Sequence, residues 1–260
     1  MGTGTVVATA NVLYSLPADR AREALRAVLD RRPDLVGLQE WYLSRSRLLR
    51  ESGSVRPVPA VGIRLRYTGP GTGDYVWSAP VVGDCVVGAR ADRYDLLSCR
   101  SRPMTGIGRA ELPDRWLGLE PPRLVTVATY RDRRSTRVVT LLNYHLVPGV
   151  QSGGRYRDDR PRLAERHRSE VRMLQRLVDA ELALGRLVYA LGDSNFDGLR
   201  LVGLTSAWEG READPGTLGP DRKIDDVFGP ARPASVRLLT NPSDHKAVVV
   251  SWPEDPGLSD

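Results

Sequence analysis

The sequence contains few cysteines and has no long hydrophobic run. Its 260 residues include two cysteines, Cys85 and Cys99. Two cysteines cannot form a multi-disulfide framework, and their spacing matches no metal-binding motif. No apolar segment reaches the roughly 20 residues that a membrane-spanning helix needs. These absences exclude a disulfide-rich scaffold and predict reduced thiols and no membrane span.

Lysine is also nearly absent, so the positive charge comes from arginine. The chain has 38 basic and 32 acidic side chains, a net charge of +6 and an isoelectric point near 9.6. Only Lys223 and Lys246 are lysines. A basic surface suits an anionic partner such as nucleic acid, but arginine bias is also typical of a GC-rich genome. Charge therefore leaves both explanations open.

The composition is that of an ordinary folded domain. The chain is 41% hydrophobic and 27% charged, which excludes a disordered chain, a collagen or a coiled coil. No repeat, low-complexity tract or linker divides it, so we expect a single domain over residues 1–260. The N-terminal residues resemble a strand more than a signal peptide, which favours a cytoplasmic location. We also expect a monomer.

Hydrophobic periodicity predicts an α/β architecture in which strands outnumber helices. Helices are predicted at 18–31, 43–51 and 159–184. Loops are predicted at 101–122 and 147–160. Strands are predicted at 4–14, 34–40, 61–67, 75–79, 85–90, 94–98, 123–131, 136–146, 186–192, 224–228, 235–239 and 246–252. This pattern indicates two sheets with helices outside.

Polar side chains recur where predicted strands end. Ends of strands in α/β proteins are common places for functional sites. Carboxylate and amide oxygens suit Mg²⁺, and histidine suits acid–base chemistry near neutral pH. A single polar residue at a strand end is often an ordinary turn former or helix cap, so the evidence lies in the whole set. The set consists of Asn11, Glu40, Asn143, His145, Asp193, Asn195, Asp225, Asp226, Asp244 and His245.

Six motifs in one order resemble the endonuclease/exonuclease/phosphatase superfamily of metal-dependent phosphohydrolases. The resemblance implies a four-layer sandwich of two packed mixed β-sheets flanked by helices. It extends over nearly the whole chain. The motifs are Asn11, Gln39-Glu40, Tyr144-His145-Leu146, Gly192-Asp193-Ser194-Asn195, Ile224-Asp225 and Ser243-Asp244-His245.

The resemblance implies a metal site and a water-activating residue. Glu40 would bind Mg²⁺, or Mn²⁺ in its place, with Asn11 and Asp244 close by. The metal would neutralise phosphate charge during attack. Asp193 would orient or deprotonate the attacking water, and Asn195 would hold the phosphate or that water.

It also implies a pair of histidines on opposite sides of the phosphate. His245 would contact a phosphoryl oxygen or act as a base, with Asp225 as the carboxylate that fixes its tautomer. His145 would face the leaving group. Asp226 is the alternative to Asp225, but adjacent strand residues face opposite ways, which favours Asp225. His167, between two arginines in the long predicted helix, is expected to face solvent.

Substrate contacts are predicted at Asn143, Arg123, Arg155 and Arg157. Arg123 opens a strand where several members of the superfamily place a phosphate-binding arginine, although it could equally be a surface residue. The two later arginines flank Tyr156, so this segment could grip a backbone and stack a base, or simply form a solvated loop.

Three functional hypotheses follow from this reading. The first is a Mg²⁺-dependent phosphodiesterase acting on DNA or RNA, favoured by the basic charge and the arginine-rich loops. The second is a phosphatase or phosphodiesterase acting on a small-molecule or lipid head-group phosphate. The third is an inactive binding module, which missing signature residues would favour; none is missing.

Overall fold

The computed structural model describes residues 4–59, 65–66, 73–111, 118–211 and 213–253. Its helices are α1 (Ala18–Leu29), α2 (Ser46–Leu49) and α3 (Pro161–Leu182), with a 3-10 turn at Leu43–Arg45. Its strands are β1 (Thr5–Asn11), β2 (Leu35–Gln39), β3 (Gly53–Val58), β4 (Leu65–Arg66), β5 (Tyr75–Pro80), β6 (Val86–Arg90), β7 (Tyr94–Thr105), β8 (Gly108–Arg109), β9 (Leu119–Glu120), β10 (Arg123–Asp132), β11 (Val138–His145), β12 (Gln151–Ser152), β13 (Arg155–Tyr156), β14 (Leu187–Asp193), β15 (Thr205–Ser206), β16 (Asp225–Gly229), β17 (Ser235–Leu239) and β18 (Ala247–Trp252).

Most of these strands form two seven-stranded mixed sheets. The first has the order β17-β18-β1-β2-β6-β5-β3, and the second has the order β15-β16-β14-β11-β10-β7-β4. In the first sheet β1 and β2 are parallel. In the second sheet β11 and β14 are parallel. Because parallel neighbours end at the same edge of a sheet, the motifs that follow them are gathered there.

Alternation of side chains along the strands creates three apolar layers. Val7 and Leu141 belong to the cluster between the two sheets. Their neighbours face outward: Ala8 packs with the residues of α1, and Leu142 packs with the residues of α3. The structure therefore confirms the predicted sandwich of two sheets flanked by helices. Among the described residues, no helix is long and apolar enough to cross a membrane.

Several predictions about strands need correction, and the two predicted loops also contain the two-residue strands β8, β9, β12 and β13. Residues 101–105, predicted as loop, continue β7 as far as Thr105 and pair with β10. Strand β3 was not predicted, because Pro57 interrupts its sequence; β3 lies at the edge of its sheet, where proline is tolerated. The predicted strand 61–67 falls outside the described residues except at 65–66, and so does the loop segment 112–117.

Candidate active site

Strand register brings three signature residues side by side. His145 pairs with Asp193 across β11 and β14, and Asp193 pairs with Asp225 across β14 and β16. Residues directly opposite each other on adjacent strands project to the same side of the sheet. All three side chains are buried, and the site therefore lies between the two sheets, at the edge where these strands meet.

Each of two histidines is paired with a buried carboxylate. Nδ1 of His145 donates to Oδ2 of Asp84 at 2.7 Å. Nδ1 of His245 donates to Oδ2 of Asp225 at 2.8 Å. Because both Nδ1 atoms are engaged, the two Nε2 atoms are left to face the site. This is the arrangement in which a third group fixes the tautomer and orientation of a catalytic imidazole.

The two histidines converge on one carboxylate oxygen. Oδ2 of Asp193 lies 3.7 Å from Nε2 of His145 and 4.0 Å from Nε2 of His245. The two Nε2 atoms cannot be farther apart than the sum of these distances, which is short enough for both rings to bracket one phosphate. We call Asp84, His145, Asp193, Asp225 and His245 the Asp193 cluster.

The opposite sheet contributes Asn11 and Glu40. Nδ2 of Asn11 donates to Oδ2 of Asp193 at 3.0 Å and lies 3.3 Å from Oε1 of Glu40. Glu40 has a positive φ of 56°, which is uncommon for a non-glycine residue and costs roughly 1–3 kcal/mol. The backbone N–H of Tyr14 donates to Oε2 of Glu40 at 2.8 Å, and this bond helps to hold the carboxylate in place.

Asn195 fixes the loop that follows Asp193. Its backbone N–H donates to Oδ1 of Asp193 at 2.7 Å, and its Nδ2 donates to the Leu146 carbonyl at 3.0 Å. Like Glu40, Asn195 has a positive φ, here 51°. The asparagine therefore orients the Asp193 carboxylate and ties its loop to the end of β11.

Burial and charge set the protonation of the Asp193 cluster. Burial alone would lower the pKa of His245, but the charge and hydrogen bond of Asp225 raise it to about 9. Burial would also lower the pKa of His145, but the charge and hydrogen bond of Asp84 raise it above its usual value. Burial, followed by the charge of Asp225, raises the pKa of Asp193. The cluster thus combines proton-holding imidazoles with a carboxylate of increased basicity.

The oxygen atoms at Asn11 and Glu40 fit a hard divalent cation. Oδ1 of Asn11 is buried and has no hydrogen-bond partner among the described residues, and the Glu40 carboxylate lies beside the same side chain. Such an all-oxygen set suits Mg²⁺ or Mn²⁺. A second group could also hold a metal, since Asp193, Asp225 and His245 bring one ligand atom each within 4.8 Å of one another.

Asp244 lies beside the site, where its charge favours the proton on His245, whereas Asn143 does not fit the substrate contact predicted for it. Asp244 is exposed, and its Oδ1 accepts from Ser243 Oγ at 3.2 Å. Asn143 is fully buried: its Nδ2 donates to the Leu38 and Val86 carbonyls at 2.9 and 2.7 Å. It joins the two sheets and is inaccessible to substrate.

The predicted arginines differ in their distance from the site. Burial would raise the pKa of Asp84, but His145 and, to a smaller extent, the charge of Arg123 lower it below its usual value. Arg123 therefore lies near the pair formed by His145 and Asp84. Arg155 is exposed on the β12–β13 hairpin. Arg157 follows this hairpin, and its guanidinium is paired with Asp159 at 2.6 Å, so its charge is already partly neutralised.

His167 does not face solvent as predicted. It is fully buried, and its Nε2 lies 2.8 Å from the carbonyl oxygen of Ser194, next to Asp193. The prediction relied on the two flanking arginines. At helical spacing, however, His167 lies on the same face as Leu163, Ala164 and Glu170, which are buried. That spacing was the signal that could have corrected the prediction.

Two further residues of the site were not predicted. Asp84 follows Gly83 in the turn before β6, and only the folded structure brings it to His145. Arg45 donates to the carbonyls of Val12, Leu13 and Leu16 at 2.8, 3.0 and 2.9 Å, and also to that of Tyr14. By tying down the loop after β1, Arg45 keeps the Tyr14 N–H within reach of Glu40.

The structure resembles several solved structures, although its sequence matches no family model. No protein-family model and no curated protein matches the sequence. Among solved structures, D. rerio TDP2 complexed with a single-strand DNA product is 16% identical, with a TM-score of 0.63 over 96% of this chain and 98% of that one. The human Nocturnin catalytic domain with bound sulfate is 18% identical, with a TM-score of 0.61 over 96% and 94%.

A bacterial structure points the same way. The endonuclease/exonuclease/phosphatase from Bacteroides vulgatus is 18% identical, with a TM-score of 0.61 over 96% of this chain and 98% of that one. At such low identity the similarity establishes the architecture, and it extends over 96% of this chain. The chain therefore has the fold of the endonuclease/exonuclease/phosphatase superfamily.

Proposed function

We propose that this chain hydrolyses phosphodiester bonds in nucleic acid with the help of a divalent metal ion. The strongest support is the convergence of His145 and His245 on the Asp193 carboxylate. Two oriented imidazoles around one buried carboxylate can bind a phosphate from two sides and still leave a base for water.

Asp193, His245 and His145 each have a different role in the proposed reaction. Asp193, with its raised pKa, takes a proton from the attacking water. His245 holds its proton at neutral pH, because its pKa is about 9, and donates a hydrogen bond to a phosphoryl oxygen. His145, on the other side of Asp193, donates a proton to the departing oxygen. General acid–base steps of this kind typically contribute about 10²–10⁴-fold in rate.

Asn11 and Glu40 are the residues that would hold Mg²⁺ or Mn²⁺. The bound ion would neutralise developing charge on the phosphate oxygens. The support is the unpartnered, buried Oδ1 of Asn11 together with the adjacent carboxylate. Asn11 also donates to Asp193, so an ion held by Asn11 and Glu40 would lie close to the proposed base.

Three observations favour nucleic acid as the substrate. The chain has a net charge of +6, and Arg123 lies near His145 and Asp84. A protein of the same fold, D. rerio TDP2, was solved with a single-strand DNA product. Positive charge beside the site, such as that of Arg123, would attract a phosphate backbone.

A substrate panel in Mg²⁺ tests this proposal. Plasmid DNA, RNA, a bis-aryl phosphodiester and an aryl phosphomonoester should be compared. We expect cleavage of nucleic acid, loss of activity in EDTA, and recovery with Mg²⁺ or Mn²⁺. Cleavage of the phosphomonoester alone would instead favour a small-molecule phosphatase.

A matched pair of variants tests the metal site. Glu40→Gln should raise the metal concentration needed for activity without unfolding the protein. Glu51→Gln is the control, because Glu51 pairs with Arg22 on the outer surface. Full activity of wild type in EDTA would contradict the metal assignment.

A further inference from the structure

Helix α3 places two buried polar side chains against the loops that carry the site. Nε2 of His167 lies 2.8 Å from the Ser194 carbonyl oxygen. One turn later, Oε2 of Glu170 accepts from the backbone N–H of Val147 at 2.8 Å. Ser194 stands between Asp193 and Asn195, and Val147 lies two residues after His145, so one face of α3 contacts the exits of both β14 and β11.

The hydrogen bonds of His167 define its tautomer. A carbonyl oxygen only accepts, so Nε2 carries the proton that binds Ser194. Nδ1 then accepts from the Tyr156 hydroxyl, which lies 2.9 Å away. Burial lowers the pKa of His167, which agrees with a neutral ring that uses one nitrogen as donor and the other as acceptor.

Aromatic packing fixes the ring in this orientation. The His167 ring centroid lies 5.6 Å from that of Tyr156 and 5.4 Å from that of Phe196. Tyr156 and Phe196 themselves are 4.5 Å apart. Arg168 covers the Tyr156 ring at 4.3 Å. Since Phe196 directly follows Asn195, this cluster contacts the loop after Asp193 at Ser194 and at Phe196.

We propose that His167 is a positioning residue that, held by Tyr156 and Phe196, sets the Ser194 backbone and thereby the placement of Asp193 and Asn195. It contacts no reacting atom and acts through the loop alone. This inference rests on the proposed function, because positioning is measured as a loss of hydrolysis. It also assigns Tyr156, on the arginine-bearing hairpin, a role in orienting the catalytic loop.

Three variants and one control test the proposal. His167→Phe keeps an aromatic ring but removes both hydrogen bonds. His167→Gln restores a donor for the Ser194 carbonyl. Tyr156→Phe removes only the hydroxyl group and should fold normally. The control is Leu174→Ala, a fully buried residue two turns further along the same helix that packs in the apolar cluster against the second sheet and makes no polar contact with the loop.

We expect His167→Phe to lower kcat by about 10²-fold, the cost of a misplacement of roughly 1 Å, with little change in KM. His167→Gln should recover most of that loss, and Tyr156→Phe should cause a smaller loss in the same direction. Leu174→Ala should lower the melting temperature while its kcat stays at the wild-type value. Wild-type kcat in folded His167→Phe, or no recovery in His167→Gln, would overturn the proposal.

Amide hydrogen exchange separates this inference from the proposed function. The Asn195 and Leu146 amides bind Oδ1 and the backbone carbonyl of Asp193 at 2.7 and 2.9 Å. In His167→Phe these two amides should exchange faster than in wild type while the amides of β14 are unchanged, whereas Leu174→Ala should change them no more than it changes the rest of the sheet. This result holds even if the wild-type protein hydrolyses none of the substrates, and unchanged exchange would refute the positioning role.

Discussion

The two histidine–aspartate pairs of the site have nearly the same geometry in different electrostatic surroundings. Nδ1 of His145 lies 2.7 Å from Asp84, and Nδ1 of His245 lies 2.8 Å from Asp225. Both Nε2 atoms face Asp193. A distance comparison alone would assign them the same role.

Neighbouring charges distinguish the two pairs. Burial opposes a proton on His145 and Asp84 favours it; beyond these larger effects, Arg123 opposes the proton and Asp193 favours it. The corresponding neighbours of His245 are Asp193 and Asp244, which both favour its proton. The comparison teaches that equal hydrogen bonds do not give equal proton affinity. His245 is suited to remain charged, and His145 is suited to give up its proton.

Removal of either imidazole should cause the largest loss and should separate these roles. His145→Ala and His245→Ala should each lose about 10²–10⁴-fold on an oligonucleotide. On a bis-aryl phosphodiester, whose leaving group needs no proton, His145→Ala should lose much less, whereas His245→Ala should lose as much as before. Comparison of kcat/KM on both substrates checks this, and equal losses for both variants on both substrates would break the distinction.

The pH dependence should respond to Asp225 more than to Asp84. Because protonated His245 is the active form, activity should fall as pH rises through its pKa of about 9. Asp225→Asn removes the charge that raises this pKa, so the alkaline limb should move to lower pH. Measured on the bis-aryl phosphodiester, whose leaving group takes no proton from His145, Asp84→Asn should leave that limb in place. The measurement is a pH–rate profile of wild type, Asp225→Asn and Asp84→Asn. If the alkaline limb of Asp225→Asn does not move, a group other than His245 causes that limb.

Asp226, which follows Asp225 in β16, should affect the pH dependence of stability, and its replacement should leave hydrolysis unchanged. Asp226 faces away from the site and bonds Ser206 and the Ala207 N–H at 2.5 and 3.1 Å. Burial raises its pKa from 3.8 to about 7. Since the folded state then binds more protons, stability should fall as pH rises from about 4 to 7.

The matched variant isolates this contribution. Asp226→Asn cannot ionise, so it should flatten this part of the stability profile and gain on the order of 2 kcal/mol at pH 8. Urea unfolding at several pH values measures the effect. Equal slopes in both proteins would show that another group titrates.

The smallest effect is expected for the exposed arginines of the β12–β13 hairpin and of the loop after it. Arg155 is exposed, whereas the Arg157 charge is paired with Asp159. Arg155→Ala should reduce the salt dependence of nucleic-acid binding by about one phosphate contact. Arg157→Ala should change it less. Binding titrations across salt concentrations check this, and identical slopes for Arg155→Ala and wild type would assign the hairpin to solvent.

Most of the fold was predictable because its patterns are local. Strand β1 and helix α3 form where their hydrophobic patterns predicted them, with their ends moved by one to three residues. Strand β3 was missed because its proline is acceptable only at a sheet edge, and edge position is a property of the whole sheet.

The site was predictable where residue order carries the signal. Asp225 lies within hydrogen-bond reach of His245, as the alternation of strand residues favoured. Asp84 was missed because its approach to His145 spans 61 positions of the chain. Asn143 was misread, since a polar residue near a strand end can also serve to join two sheets.

Asp193 is the most direct test of the whole account, because both histidines, Asn11 and Asn195 meet at its carboxylate. The measurement is the single-turnover rate of oligonucleotide cleavage in Mg²⁺ by wild type and Asp193→Asn, with folding verified by circular dichroism. The account predicts cleavage by wild type and a loss of about 10²–10⁴-fold in folded Asp193→Asn. Equal rates in the two proteins would contradict it.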